Sequence, residues 1–229
     1  MLNKLRADIK RHANPTKAKL LQGFFKTGKG DYAEGDRFLG VTVPVLRSIA
    51  KRYPALSLAD ITKLLKSPIH EERFVALVLL VDRYKKGDEK IRTHIFNLYL
   101  KHTRYINNWD LVDTSAPHIV GPFCTPALLN RLARSPLLWN RRIAMLSTAH
   151  HIMRGKSRET LRLAKRFLRD EHDLIHKATG WMLREVGKRC SEKILRDFLD
   201  EHAHEMPRTM LRYAIEKFSK QEQKRYLQT

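Results

Sequence analysis

Apolar residues recur at intervals of three and four along almost the whole chain, and no other feature limits its fold so strongly. The pattern runs through "VPVLRSIAKRY", "EERFVALVLLVDRY", "IRTHIFNLYLKH", "NRRIAMLSTAHHIM", "IHKATGWMLREVGK" and "RTMLRYAIEKF". That spacing gathers apolar side chains into one stripe along a helix. Strict alternation, the mark of a half-buried strand, is scarce, so the chain reads as all-α. Ser57, Asp60, Ser157 and Ser191 mark helix starts, and Pro44, Pro126 and Pro207 stand near first-turn positions. The glycine-rich segment 27–40 is the one clear long loop.

Beneath the helical period lies a longer one. Glu72-Arg73, Asn108-Trp109, Arg141-Arg142, His176-Lys177 and Pro207-Arg208 each open an apolar-striped helix, at spacings of 36, 33, 35 and 31 residues. Each such helix follows another. Helix pairs of this period bury their faces on their neighbours, which predicts an α-solenoid formed as a single domain over 1–229. A plain bundle with loops of similar length would mimic the same repetition. In the solenoid, equivalent positions fall on one surface, so Arg73, Arg142, Lys177 and Arg208 would line a common, curved and cationic face.

Charge says what that face would meet. The chain has 45 Lys and Arg against 24 Asp and Glu, a net charge of +21. A folded domain this basic carries a surface for a polyanion, most often nucleic acid. Phosphate contacts of that kind give affinity and register but little sequence choice. The longest apolar run, "FVALVLLV" at 74–81, is far short of the roughly 18 residues a membrane span needs. No signal peptide is evident, and Cys124 and Cys190 stand in no metal or redox spacing. The expected setting is cytoplasmic, with the chain acting as a monomer.

Two motifs fail on inspection. "GFFKTGKG" at 23–30 has the G-x-x-x-x-G-K skeleton of a phosphate loop, but Gly30 stands where Ser or Thr must hold magnesium, and a helix precedes it. His172 and His176 share a helix face, but no third ligand accompanies them, so no metal site is expected. The remaining set is aromatic and acidic. In "WDLVD", Trp109 and Asp113 are one turn apart and project from one face, while Asp110 points elsewhere to cap or neutralise a neighbour. In "HKATGWMLRE", Lys177, Trp181 and Arg184 share a face in the same way, with Trp181 72 residues beyond Trp109.

A carboxylate facing DNA is repelled by phosphates and gives a pure binder nothing. It becomes useful against a cation. An N3- or N7-alkylated purine is one, and as its glycosidic bond breaks the positive charge moves onto the deoxyribose. A fixed aspartate stabilises that charge and positions water, and indole faces attract the same cation. The competing reading makes both tryptophans core residues and pairs Asp113 with an arginine inside the solenoid.

At these residues the chain resembles the AlkD-type DNA alkylation repair glycosylases, built of HEAT-like repeats. The most specific stretches are "FLGVTVPVLR" (38–47), "WDLVDTSAPHIVG" (109–121), "LWNRRIAML" (138–146) and "HKATGWMLRE" (176–185). The resemblance implies a C-shaped stack of HEAT-like helix pairs whose basic concave face holds duplex DNA. It implies excision of cationic N3- and N7-alkylpurines, such as 3-methyladenine and 7-methylguanine, with no cofactor and without flipping the base. It places Trp109, Asp113 and Trp181 around the lesion's sugar and Arg142 and Arg184 among the DNA contacts. Phe24 or Phe25 takes the place of a family tyrosine, and His150 that of a lysine at the DNA backbone. The alternative from another class is a non-catalytic HEAT-repeat scaffold that binds nucleic acid or an acidic protein partner.

Overall fold

The computed structural model describes residues 1–228. Apart from one isolated bridge between Arg37 and Ile69, the regular structure of these residues is helical. The chain divides into two compact units, Met1–Ser115 and Ala116–Thr229.

The first unit begins with α1 (Leu2–Arg11), α2 (Pro15–Phe24), α3 (Val43–Lys51), α4 (Leu58–Leu65), α5 (His70–Lys86) and α6 (Glu89–Lys101). The first turns of α7 (Trp109–Ile119) also belong to it. Helix α5 is its axis, with α3, α4 and α6 packed around it. Its sequence explains the position. The run Phe74–Val81 is apolar on every side, and a helix with no polar face must be covered all round. Helix α2 is the opposite case, for none of its residues is buried. Its N-terminal end holds it instead. The Asn14 side chain accepts the Lys17 N–H, and the Asn14 N–H donates to the Leu39 carbonyl. Gly40, at φ +82, lies against the backbone of Asn14 and Ala18. A Cβ there would come within 2.2 Å of the Asn14 carbonyl oxygen.

The second unit holds α8 (Pro126–Ala133), α9 (Leu138–Ser147), α10 (Ala149–Ile152) and α11 (Arg158–Phe167), then α12 (Asp173–Arg189), α13 (Glu192–His202), α14 (Arg208–Ala214) and α15 (Lys220–Leu227). Helices α8 and α9 pair, as do α11 and α12, and α12 packs on both α9 and α14. This is the stacked-pair order of an α-solenoid. The five phased openings each fall within the first turn or so of a helix, in order α5, α7, α9, α12 and α14.

The start signals divide. Ser57 and Ser191 cap α4 and α13 by accepting N–H groups of their first turns. Ser157 stands before α11 without a capping bond, and Asp60 lies inside α4, where it pairs with Lys63. Pro44 and Pro126 occupy first-turn positions, and Pro207 is itself the residue before α14.

A candidate active-site face on helix α7

The loop before α5 is tied to it by backbone bonds. Arg37 donates its N–H to the Pro68 carbonyl, and His70 returns one to the Arg37 carbonyl at 2.8 Å. This seats Asp36 beside the first turn of α5, whose residues "HEER" precede the apolar run and are buried with it. Each ionisable group there finds a partner, as burial demands. Glu71 accepts the N–H groups of Leu39, Gly40 and Val41, which fixes the segment leading into α3. Glu72 pairs with Arg6 of α1.

His70, 3 % exposed, lies between two carboxylates. Its Nδ1 is 3.3 Å from Asp36 and its Nε2 is 2.8 Å from Asp110 on α7. Asp36 also receives Arg73 and the side-chain amide of Asn107, just before α7. Burial by itself would push the imidazole pKa down. The charge and hydrogen bond of Asp110, with help from Asp36, outweigh it and hold the imidazole above its ordinary value. Asp36 is held below the usual carboxylate range despite its burial, by bonds from His70 and Asn107 and the charge of Arg73.

A ladder of rings rises from the same imidazole. His70 stacks on Phe38 with centroids 4.4 Å apart, Phe38 on Phe25 at 5.1 Å, and Phe25 on Trp109 at 5.1 Å. Phe24 meets Trp109 and Phe25 edge-on. A mainly apolar cavity of about 290 Å³ lies alongside, lined by Phe24, Phe25, Phe38, Phe74, His70 and Asp110 among others. Trp109 is half-buried, and so is Asp113 one turn further along α7. Asp113 is near enough to Tyr99 to add to the effect of burial, and together they push that phenol well above its ordinary pKa. Tyr99 is fully buried and hydrogen-bonded to Ser115.

In the second unit Trp181 is half-buried on α12. Lys177 pairs with Asp173, one turn back, at 2.8 Å and remains 40 % exposed. Arg184 pairs with Glu216. Arg208 is exposed at the start of α14 and donates to the Leu227 carbonyl.

Two of the expected DNA contacts sit differently, and a third differs in charge. Arg73 does not line a surface. It is 3 % exposed, because α5 is covered on all sides, and its guanidinium is spent on Asp36 and the Ser67 carbonyl. Arg142 is 4 % exposed and donates to the Leu174 carbonyl at 2.6 Å, which ties α9 to the first turn of α12. His150 cannot replace a lysine's charge. Its burial, with Arg154 and His151 close by, lowers its pKa to about 4, so it is neutral at pH 7. Asp110 neutralises a neighbour as its position suggests, and that neighbour is His70.

The network around His70 escaped the sequence reading. Its one signal was four ionisable residues set directly against an all-apolar run. Among the described residues no cluster of His, Cys, Asp and Glu is arranged to hold a metal. His172 is occupied in accepting the Leu174 N–H, and His176 is bonded to the Asp170 carbonyl. Burial raises the Cys124 thiol to about 12, so it is no nucleophile at neutral pH. No described helix is long and apolar enough to cross a membrane.

No match is found among curated proteins. Among solved structures, one described as a predicted DNA alkylation repair enzyme from Enterococcus faecalis superposes with a TM-score of 0.70 at 16% identity. The likeness covers 91% of this chain and 98% of that one, and at this identity it speaks for the fold alone. The family model described as DNA alkylation repair enzyme matches residues 5–218, nearly the whole sequence. On that match the chain belongs to the DNA alkylation repair enzyme family.

Proposed function

We propose that the protein is a monofunctional DNA glycosylase that hydrolyses the bond between deoxyribose and a cationic N3- or N7-alkylated purine in duplex DNA. The observation that carries this reading is the α7 face. It sets a half-buried indole and a half-buried carboxylate one turn apart on a rigid support, in a chain of net charge +21. Bond breaking leaves positive charge on the sugar, and Asp113 stabilises that charge and orients the attacking water. Trp109 presents its face to the same cation, and its stack on Phe25 keeps the ring from turning away. Trp181 is assigned a second contact with the sugar by the resemblance. Lys177, Arg184 and Arg208 remain as phosphate contacts, and Arg73 and Arg142 are left out because they are buried. The proposed steps use these side chains and water, and the base is released without being flipped into a pocket.

The deciding experiment is release of free 3-methyladenine or 7-methylguanine from methylated duplex, with Asp113→Asn alongside. Release by the wild type should fall by about two to three orders of magnitude in the variant, the scale of losing one main transition-state group, with duplex affinity kept. Equal rates would remove Asp113 from the mechanism. Tight binding with no release by either protein would favour a scaffold.

A further inference from the structure

We propose that His70 is a positioning residue for base release, fixing the indole of Trp109 through its hydrogen bond to Asp110 and its place at the foot of the ring ladder. The inference rests on the glycosylase reading for its effect on rate, but not for its effect on Trp109.

Trp109 is the first residue of α7, and the opening turn of a helix has N–H groups without helical partners and frays readily. Something must hold it. The side chain of Asn108 accepts the Trp109 N–H at 2.8 Å, which fixes the backbone but not the ring. The next residue, Asp110, places one oxygen on His70 at 2.8 Å. Its other oxygen is buried with no hydrogen-bond partner, so His70 is the hydrogen-bond anchor of that side chain.

The second restraint is the stack. The imidazole is the buried end of the series His70, Phe38, Phe25 and Trp109, and the indole is its half-buried end. Each ring limits the tilt of the next, so the imidazole sets where the series begins. His70 is itself immobilised, by Asp36 on one side and Asp110 on the other, with Arg73 balancing the charge. One side chain of α5 thereby reaches the same indole by two routes, through Asp110 in the chain and through the rings in space. The residue four positions beyond the indole is Asp113, so a shift in the first turn of α7 moves the aspartate as well. A merely structural His70 would tie α5 to α7 and nothing more.

The test uses His70→Phe, which keeps a ring against Phe38 but loses both donors, and His70→Gln, which offers Asp110 an amide donor without a ring. Asp110→Ala removes the anchor from the other side. Trp109 is read in a background of Trp139→Phe and Trp181→Phe, by its emission maximum and its quenching by acrylamide. Separately, with tryptophans intact, the single-turnover rate of 7-methylguanine release and the duplex Kd are measured. His70→Phe should expose Trp109 to quencher and slow release by about tenfold, within the range that small misplacements cost, while Kd changes less than about twofold. His70→Gln should recover part of the rate. A lowered Tm with unchanged quenching and rate would make His70 structural only and overturn the proposal. If the wild type releases no base, the glycosylase reading fails and the quenching alone decides, with unaltered quenching in His70→Phe counting against positioning. If His70→Phe does not fold, Asp110→Ala is read in the same way, and a wild-type Trp109 signal in it would overturn the proposal.

Discussion

A neutral imidazole has one N–H to give, yet His70 faces a carboxylate on each side and serves both as a donor only when protonated. Its folded pKa is therefore held above the ordinary 6.5, and the consequence for stability has a definite sign. The contribution is present in full below about pH 6.5 and is lost as pH rises through the folded value. Melting temperature, followed by calorimetry from pH 6 to 9, should decline over that window in the wild type, and Asp110→Ala should move the decline to lower pH. A flat profile in both proteins would show that His70 is not charged in the fold. At this scale the sequence was legible where helical spacing decides the matter and silent where burial does. Trp109 and Asp113 share a helix, as their spacing requires, and both are half-buried there. Arg73 and Arg142 looked like surface cations because Arg usually is one. Each instead serves a buried oxygen, the Asp36 carboxylate and the Leu174 carbonyl, and neither acceptor is near it in sequence. His150 is a histidine in any reading of the sequence, but the half-buried setting that lowers its pKa further comes only from packing.

Among the elements, the helices were legible because each carries its own stripe, and the repeat was legible because the helices that open it recur. Caps were less so. A serine before an apolar run is not sufficient for a side-chain cap, as the contrast of Ser191 with Ser157 shows. The contact of α12 with α14 shows what no periodicity reveals. Gly180 sits within α12 where a Cβ would lie 2.3 Å from the Met210 carbonyl oxygen and 2.5 Å from the Tyr213 Cβ. Backbone on the facing helix cannot yield as a flexible side chain would. Gly180→Ala should therefore cost about 3 kcal/mol, the upper end for overpacking. For a chain of this size that is a fall in Tm of roughly 6–12 °C by calorimetry. A neutral or stabilising result would mean that α14 moves away at little cost. Because α12 also carries Trp181, Lys177 and Arg184, such a shift would reach the side chains assigned to DNA.

For the molecule as a whole, the excess of positive charge was the plainest statement in the sequence, and it still leads to the most direct solution test. Duplex affinity should fall steeply as salt rises, and Arg208→Ala should flatten the slope of log affinity against log salt by about 0.9, one released counterion. An unchanged slope would mean that Arg208 faces no phosphate. The family match over residues 5–218 agrees with the resemblance drawn from four short stretches, so membership was legible early. The apolar cavity was not, because its lining comes from α2, α3, α5, α7 and the loop between α2 and α3. Helix α2 also has a bearing on how such a molecule can change over generations. None of its residues is buried, while Phe25 just beyond it belongs to the core. Substitutions at exposed α2 positions such as Lys17 and Leu20, which line the cavity, can therefore reshape it with little cost to the core. The rings beneath, from Phe25 to His70, are buried and packed on one another. An exposed wall thus stands over a buried floor, an arrangement in which new preferences can arise without endangering the fold.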